Sequence, residues 1–401
     1  MRLPRANGRS AAVLVAAVVL SLLLSAPATG AEQGPAAPTR PSGGRLVLGY
    51  YVSYDTTSWA SLQAQASSID VVAVQWVTID ACGRLTSDDD QTLKQFAQSR
   101  GIRVIPSLLT YSGWLNNRLL TDPETTTRAI DQIVGYVVAE GYDGFDLDLE
   151  GVRAGDRPAY TDFVRRLAEA LHARGKLLAL AVPPKASDTT TGFGGAFDYS
   201  ALGQHADLVT VMGYEWHGAW SGPGPIAPYD SVEKVVGFAV SQMPPEKVVL
   251  ALAFYGWDWN VTSGGSRYIG HPEAAALAER YGVPIELTPD SRSATFRYRA
   301  PAGERPPDVT RPPRLDHEIT ARRPPPCPVT DPAPTPTPTP RPVPPPDAIQ
   351  EHEVWLEEHE SAVARLDLAS RYGVGGAALW RLGHEEARAW TALGAWRQGA
   401  P

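Results

Sequence analysis

Asp146, Asp148 and Glu150 occupy alternate positions in the stretch Asp143-Gly144-Phe145-Asp146-Leu147-Asp148-Leu149-Glu150. In a β-strand side chains alternate faces, so the three acids share one face while Phe145, Leu147 and Leu149 share the other. Neighbouring acids then stand about 7 Å apart, and at an effective dielectric of ~20 each pair repels by roughly 2.4 kcal/mol, or nearly ~2 pK units. At least one should keep its proton near neutral pH, and a protonated carboxyl facing a substrate is a general acid. A structural ion network or a Ca2+ site is the competing reading, but acids in a line do not wrap a cation.

Such a strand needs an apolar layer outside and a wet opening inside, as near the mouth of a barrel. The neighbouring sequence supplies one. Candidate strands are Leu46 to Val52, Val71 to Trp76, Arg103 to Leu108, the acidic strand, Leu177 to Val182, Leu208 to Tyr214 and Val248 to Phe254. Helical patterns lie between them, including Ser58 to Ile69, a run opened by Asp122-Pro123-Glu124, and Tyr160 to Ala173. This alternation predicts a parallel α/β fold. Seven strands precede a Pro-rich run at 301–346, with Thr-Pro repeats from Pro334 to Pro340, which is expected to be extended or disordered. The remaining piece holds a helix from about Trp355 to Tyr372, a strand from Gly376 to Leu382 and a closing helix. It is too small to fold alone. It reads as the last unit of a TIM-type (β/α)8 barrel over 45–398, the Pro-rich run being an insertion before that unit.

Residues 1–30 carry Arg2, Arg5 and Arg9, an apolar run from Ala11 to Leu24 and small residues around Ala26 to Ala31, the pattern of a secretory signal peptide. A short spacer, 31–44, follows. No other run is apolar enough to span a bilayer. The formal charge of −8, which loss of those three arginines takes to −11, argues against nucleic-acid or anionic-membrane partners. With only Cys82 and Cys327 the chain is no disulfide scaffold, and the two are paired or free with equal justification. No His/Cys/Asp spacing suggests a metal, no cofactor is expected, and a secreted or wall-associated monomer is.

The acidic stretch resembles the Asp-Gly-x-Asp-x-Asp-x-Glu signature of glycoside hydrolase family 18, and the likeness runs from about Leu46 to Leu382 outside the Pro-rich run. Val182-Pro183-Pro184-Lys185, Met212-Gly213-Tyr214-Glu215-Trp216-His217, Tyr255-Gly256-Trp257-Asp258-Trp259 and Leu379-Trp380-Arg381-Leu382 resemble the members that act on bacterial cell wall and spore cortex. The resemblance implies hydrolysis of β-linked N-acetylglucosamine polymers with the substrate's own acetamide as nucleophile, outside the two-carboxylate rule. It implies Glu150 as proton donor, Asp148 as partner of the acetamido N–H, and Asp146 as the group sharing a proton with Asp148. Tyr214 would bond the acetamido carbonyl and Trp380 would floor the sugar site. Tyr51 and Gln75 are further pocket candidates at strand ends. Glu215, Trp216 and Trp257 are candidates on loops after the sixth and seventh strands, with Trp259 beside them.

Two departures qualify the resemblance. Glu215 stands where the family often has Asp or Asn, and the third strand keeps Ser107 without the Gly-Gly common in chitinases. Peptidoglycan-binding repeats do not fit within 31–44, so wall attachment is expected from the barrel or the Pro-rich run. The alternatives are a chitinase or chito-oligosaccharide hydrolase, and a catalytically inactive sugar-binding barrel. The last conflicts with retention of Glu150.

Overall fold

A computed structural model describes residues 44–302, 304, 316–330 and 344–399. The signal-peptide reading of 1–30 and the Thr-Pro repeats of 334–340 lie outside the described residues. The strands are β1 (Leu46–Val52), β2 (Val71–Ile79), β3 (Leu85–Asp90), β4 (Arg103–Thr110), β5 (Gly144–Leu149), β6 (Leu177–Val182), β7 (Leu208–Met212), β8 (Val248–Ala253), β9 (Tyr255–Asn260), β10 (Ser266–Gly270), β11 (Glu286–Leu287), β12 (Ala294–Pro301), β13 (Ile319–Arg322), β14 (Ile349–Leu356) and β15 (Gly376–Trp380).

Strands β1, β5, β6, β7 and β8 are buried on both faces, as strands between a core and a layer of helices must be. They pair in the order β1-β15-β8-β7-β6-β5-β4-β2, and β2 pairs back with β1. Every one of these pairings is parallel, so eight strands close a barrel with helices outside. Acids that precede the helices favour their starts. Asp90, Asp122 and Asp198 each accept a hydrogen bond from a backbone N–H in the first turn of the helix they cap. The helix that Asp122-Pro123-Glu124 announces runs Pro123–Ala139.

Three expectations need correction. The first concerns Trp257 and Trp259, which are not on a loop: they belong to β9 in a second, antiparallel sheet ordered β10-β9-β14-β12-β11. This sheet carries helix His271–Tyr281 on one face and forms its own small core around Ile269, Leu277, Phe296 and Leu356. Second, Trp355 is in a strand, and the helix begins only at His359. The stretch His352 to Leu356 alternates, with Val354 and Leu356 facing that small core.

Third, part of the Pro-rich run is built into the fold. β13 pairs antiparallel with β3, Arg323 Nη1 donates to the Ser87 carbonyl at 2.7 Å, and Cys327 is disulfide-bonded to Cys82. The open edge of β3 supplies the backbone groups that a Pro-rich chain otherwise lacks. The insertion leaves and re-enters between β12 and β14, which pair from Ala294↔Leu356 to Pro301↔Ile349.

Candidate active site

Register decides what faces the barrel axis. Ser107, Asp146 and Ala179 lie side by side on β4, β5 and β6, as do Tyr50 with Ala73, Ala181 with Thr210, Met212 with Ala251, and Ala253 with Trp380. Many of these inward residues are alanine, which leaves room at the C-terminal end of the barrel. The resulting cavity encloses about 370 Å³, including the part open to solvent. It is lined by Tyr50, Tyr111, Asp148, Glu150, Ala181, Met212, Tyr214, Glu215 and Trp380.

The three acids on β5 and at its end are graded in depth. Asp146 is fully buried and accepts a hydrogen bond from Ser107 Oγ at 2.7 Å. Burial pushes its carboxyl up to about 6, against the opposing pull of Ser107 and Tyr50. Asp148 is also buried, and its carboxyl is held well above the usual range by burial first, then by the charges of Glu150, Asp146 and Glu215. One oxygen on each aspartate, Oδ1, is buried without a hydrogen-bond partner among the described residues. Unpaired buried oxygens are costly unless a proton or a ligand meets them.

Glu150 lies just past the strand, half-buried at the mouth. Its backbone N–H donates to the Thr110 carbonyl at 3.0 Å, which curls the end of β5 onto the end of β4. Gly151 is needed there, since a Cβ would come within 2.2 Å of the Tyr111 carbonyl oxygen. Burial and the charge of Glu215 push the Glu150 carboxyl up to about 7, and a hydrogen bond from Tyr111 holds it down in part.

Tyr214 and Glu215 are consecutive and both line the cavity, which a regular strand forbids. The left-handed backbone of Glu215, with φ of 71°, turns its side chain back inward. The Tyr255 hydroxyl donates to Glu215 Oε1 at 3.3 Å, and burial raises the Glu215 carboxyl. Trp380 meets Tyr50 edge-on at 5.5 Å, and the Trp380–Arg381 peptide bond is cis.

The structure therefore brings Asp148, Glu150, Tyr214, Glu215 and Trp380 to one cavity, with Asp146 directly beneath. Other candidates fall elsewhere. Tyr51 lies on the outward face of β1, where Asp90 and Asp55 are its charged neighbours, and Tyr50 is the inward residue. Strand β1 is buried on both faces, so its sequence shows no alternation from which to choose between the two tyrosines. Gln75 pairs with Val52 on the inner face, its Nε2 buried without a partner, yet it does not line the cavity. Trp216 packs against the barrel core, its backbone N–H donating to the Ile226 carbonyl at 3.0 Å.

Trp257 sits on the second sheet. A series of ring contacts, Tyr214 to Tyr255 to Tyr268 to Trp257 to Trp220, links it to the cavity wall. Tyr50, Tyr111, Ala181 and Met212 are the lining residues that sequence reasoning missed. For Tyr111 a signal existed, since it directly follows the strand adjacent to the acidic one.

Two groups of three possible metal ligands occur among the described residues, Asp80/Cys82/Cys327 and His271/Glu358/Glu386. Neither borders the cavity. The cysteines of the first form the disulfide, and Glu386 of the second accepts from the His359 backbone N–H at 2.7 Å at a helix start.

Residues 46–385 match the family model of the glycosyl hydrolases family 18. The chain is 33% identical over 191 residues to a putative sporulation-specific glycosylase, YdhD, of Bacillus subtilis, covering 47% of this chain and 45% of that protein. It is 26% identical over 288 residues to the cortical fragment-lytic enzyme of Bacillus subtilis, covering 71% and 56% respectively. The chain thus spans about half the length of either relative. A chitinase from Chromobacterium violaceum superposes with a TM-score of 0.70 at 25% identity, over 88% of this chain and 98% of that structure.

Proposed function

The chain belongs to glycosyl hydrolase family 18, and on that premise we propose that it is a secreted glycosidase cutting β-linked N-acetylglucosamine in glycan of the peptidoglycan or cortex type. The observation that carries the reading is the graded row of acids on β5 and at its end, deep and paired at Asp146, orphaned at Asp148, and at the mouth with a raised carboxyl at Glu150.

In the proposed reaction Glu150, which keeps its proton near neutral pH, gives it to the leaving glycosidic oxygen as the bond to the anomeric carbon breaks. The acetamide carbonyl oxygen of the same sugar closes on that carbon from the opposite face. Asp148 accepts from the acetamido N–H, and the Tyr214 hydroxyl donates to the carbonyl oxygen. As positive charge develops at the sugar, Asp148 passes its proton down to Asp146, leaving Asp148 anionic beside the nitrogen. Water then opens the ring at the anomeric carbon, returning its proton to Glu150 and retaining configuration. Trp380 offers an indole face beneath the sugar.

Similarity to cortex- and sporulation-associated glycosylases supports the wall-type substrate. Similarity to a chitinase of known structure favours chitin as the second reading. The deciding measurement is reducing-sugar release from purified peptidoglycan and from chitin, using wild type and Glu150→Gln. Faster release from peptidoglycan, abolished in the variant, is the expected result. Preference for chitin would transfer the assignment to the second reading. Binding without turnover of either would leave an inactive lectin.

A further inference from the structure

The second sheet has two unlike faces. Tyr255, Trp257, Trp259, Tyr268 and Trp355 point towards the barrel, whereas Ile269, Phe296, Val354 and Leu356 pack under helix His271–Tyr281. On this helix-covered face the apolar pattern stops towards one end of the sheet. Asp258, Arg267, Tyr298 and His352 take over at the positions next in line. These side chains are tied together. Asp258 Oδ1 bonds His352 Nδ1 at 2.8 Å, Tyr298 Oη donates to Asp258 Oδ2 at 2.7 Å, and Arg267 Nη2 reaches the same oxygen at 3.1 Å. The rings of Tyr281, Tyr298 and His352 form one stack, with 4.6 Å between successive centroids.

A cleft of about 780 Å³, including its open part, borders this network. Asp258, Arg267, Tyr281, Tyr298 and His352 are among its walls. Asp258 is buried, whereas Arg267 and His352 retain partial exposure. Stability does not require such an arrangement, because buried ion pairs are often matched or exceeded by apolar packing of the same volume. What the network does provide is fixed geometry. It clamps a guanidinium, an imidazole and a tyrosine stack in set orientations at the edge of a cleft large enough for a ligand. Charges of both signs and planar hydrogen-bonding groups beside aromatic rings suit a ligand rich in hydroxyl and amide groups but with little net charge.

We propose that this cleft is a second glycan-binding site, which holds a stretch of the N-acetylated polysaccharide away from the bond being cut. It lies on the face of the sheet opposite Tyr255 and Trp257, so it does not prolong the catalytic groove. The inference rests on the proposed substrate class, and its role is to keep the enzyme on an insoluble polymer between cuts.

Arg267→Ala and Tyr281→Ala test it. Both leave Asp258 paired with His352 and Tyr298, and thermal melts verify folding. Sedimentation of Glu150→Gln protein with purified peptidoglycan and with chitin reads binding without turnover. Each added substitution is expected to weaken binding to the preferred polymer about five-fold, roughly the value of one lost polar contact.

In the active enzyme, release from the polymer should fall while kcat/KM on a short chromogenic N-acetylglucosamine oligomer stays unchanged. Unaltered polymer binding in the folded variants would overturn the inference, as would equal losses on polymer and oligomer. Failure of the wild type to cleave either substrate would refute the proposed reaction, and the sedimentation assay would still decide the cleft.

Discussion

Two clusters of charged side chains in this protein obey opposite rules. At the barrel mouth, Asp146, Asp148, Glu150 and Glu215 crowd together with no cation lining the cavity, and every one of their carboxyls is raised. On the second sheet, Asp258 is as buried as Asp148 but faces His352, Arg267 and Tyr298, and its carboxyl is lowered. Burial alone penalises both. Partners determine the sign, so one cluster stores protons and repulsion while the other fixes geometry.

The largest consequence is catalytic. Glu150→Gln removes the proton donor and keeps the shape, and general acid catalysis of this kind contributes roughly 10²–10⁴-fold. A fall in kcat of about 10³-fold, or about 4 kcal/mol, is expected in the reducing-sugar assay. Residual activity within ten-fold of wild type would mean that the raised carboxyl at the mouth is not the acid.

Stability separates the clusters next. Asp258→Ala strands Arg267 and His352 beside a hole, and breaking a buried pair of this type costs about 3–5 kcal/mol. Asp148→Asn should act the other way. A carboxyl raised in the folded state contributes stability below the unfolded value near ~4, and that contribution is lost as pH rises through the folded value. At pH 7.5 the neutral amide relieves the repulsion, so urea melts should show a gain of about 1–2 kcal/mol together with lost activity. The gain should vanish near pH 4. Equal destabilisation by both substitutions would erase the contrast.

Much of this was legible in the chain itself because residue type marks it locally, as acids at alternate positions, a capping Asp before Pro, and short apolar runs between helical patterns. The Asp146–Asp148–Glu150 alternation, the Asp122-Pro123-Glu124 helix start and the eight barrel strands were readable for that reason. What failed had no such signal. Tyr50 and Tyr51 are adjacent in a strand buried on both faces, so only pairing with β2 and β15 chooses between them.

The second sheet was missed because the pairings that join its hairpins, those of β14 with β9 and β12, link strands far apart in sequence. β9 and β14 are separated by the Pro-rich run, and their shared alternation is visible only once they pair. The Pro-rich run itself looked featureless because a backbone partner, β3, and Cys82 were needed to order part of it. Glu215 could be proposed from resemblance, but the left-handed turn that aims it inward has no sequence mark, since neither Gly nor Asn stands there.

The smallest predicted effects are on pH dependence, and they test whether the mouth cluster tunes its own acid. Glu150 must carry its proton to act, so kcat/KM should fall as pH rises through about 7. The Glu215 charge is one cause of that elevation, after burial, and the Tyr111 hydrogen bond opposes it. Glu215→Gln removes a negative neighbour, makes ionised Glu150 easier to form, and should move the alkaline limb to lower pH. Tyr111→Phe removes a donor that favours the ionised form and should move the limb upward. The two shifts have opposite signs although both residues border the same cavity, so loss of packing cannot imitate the pair. A pH–rate profile on a soluble oligomer from pH 5 to 9 reads both. If both variants moved the limb in one direction, the acid would be set by burial alone and the surrounding charges would be incidental.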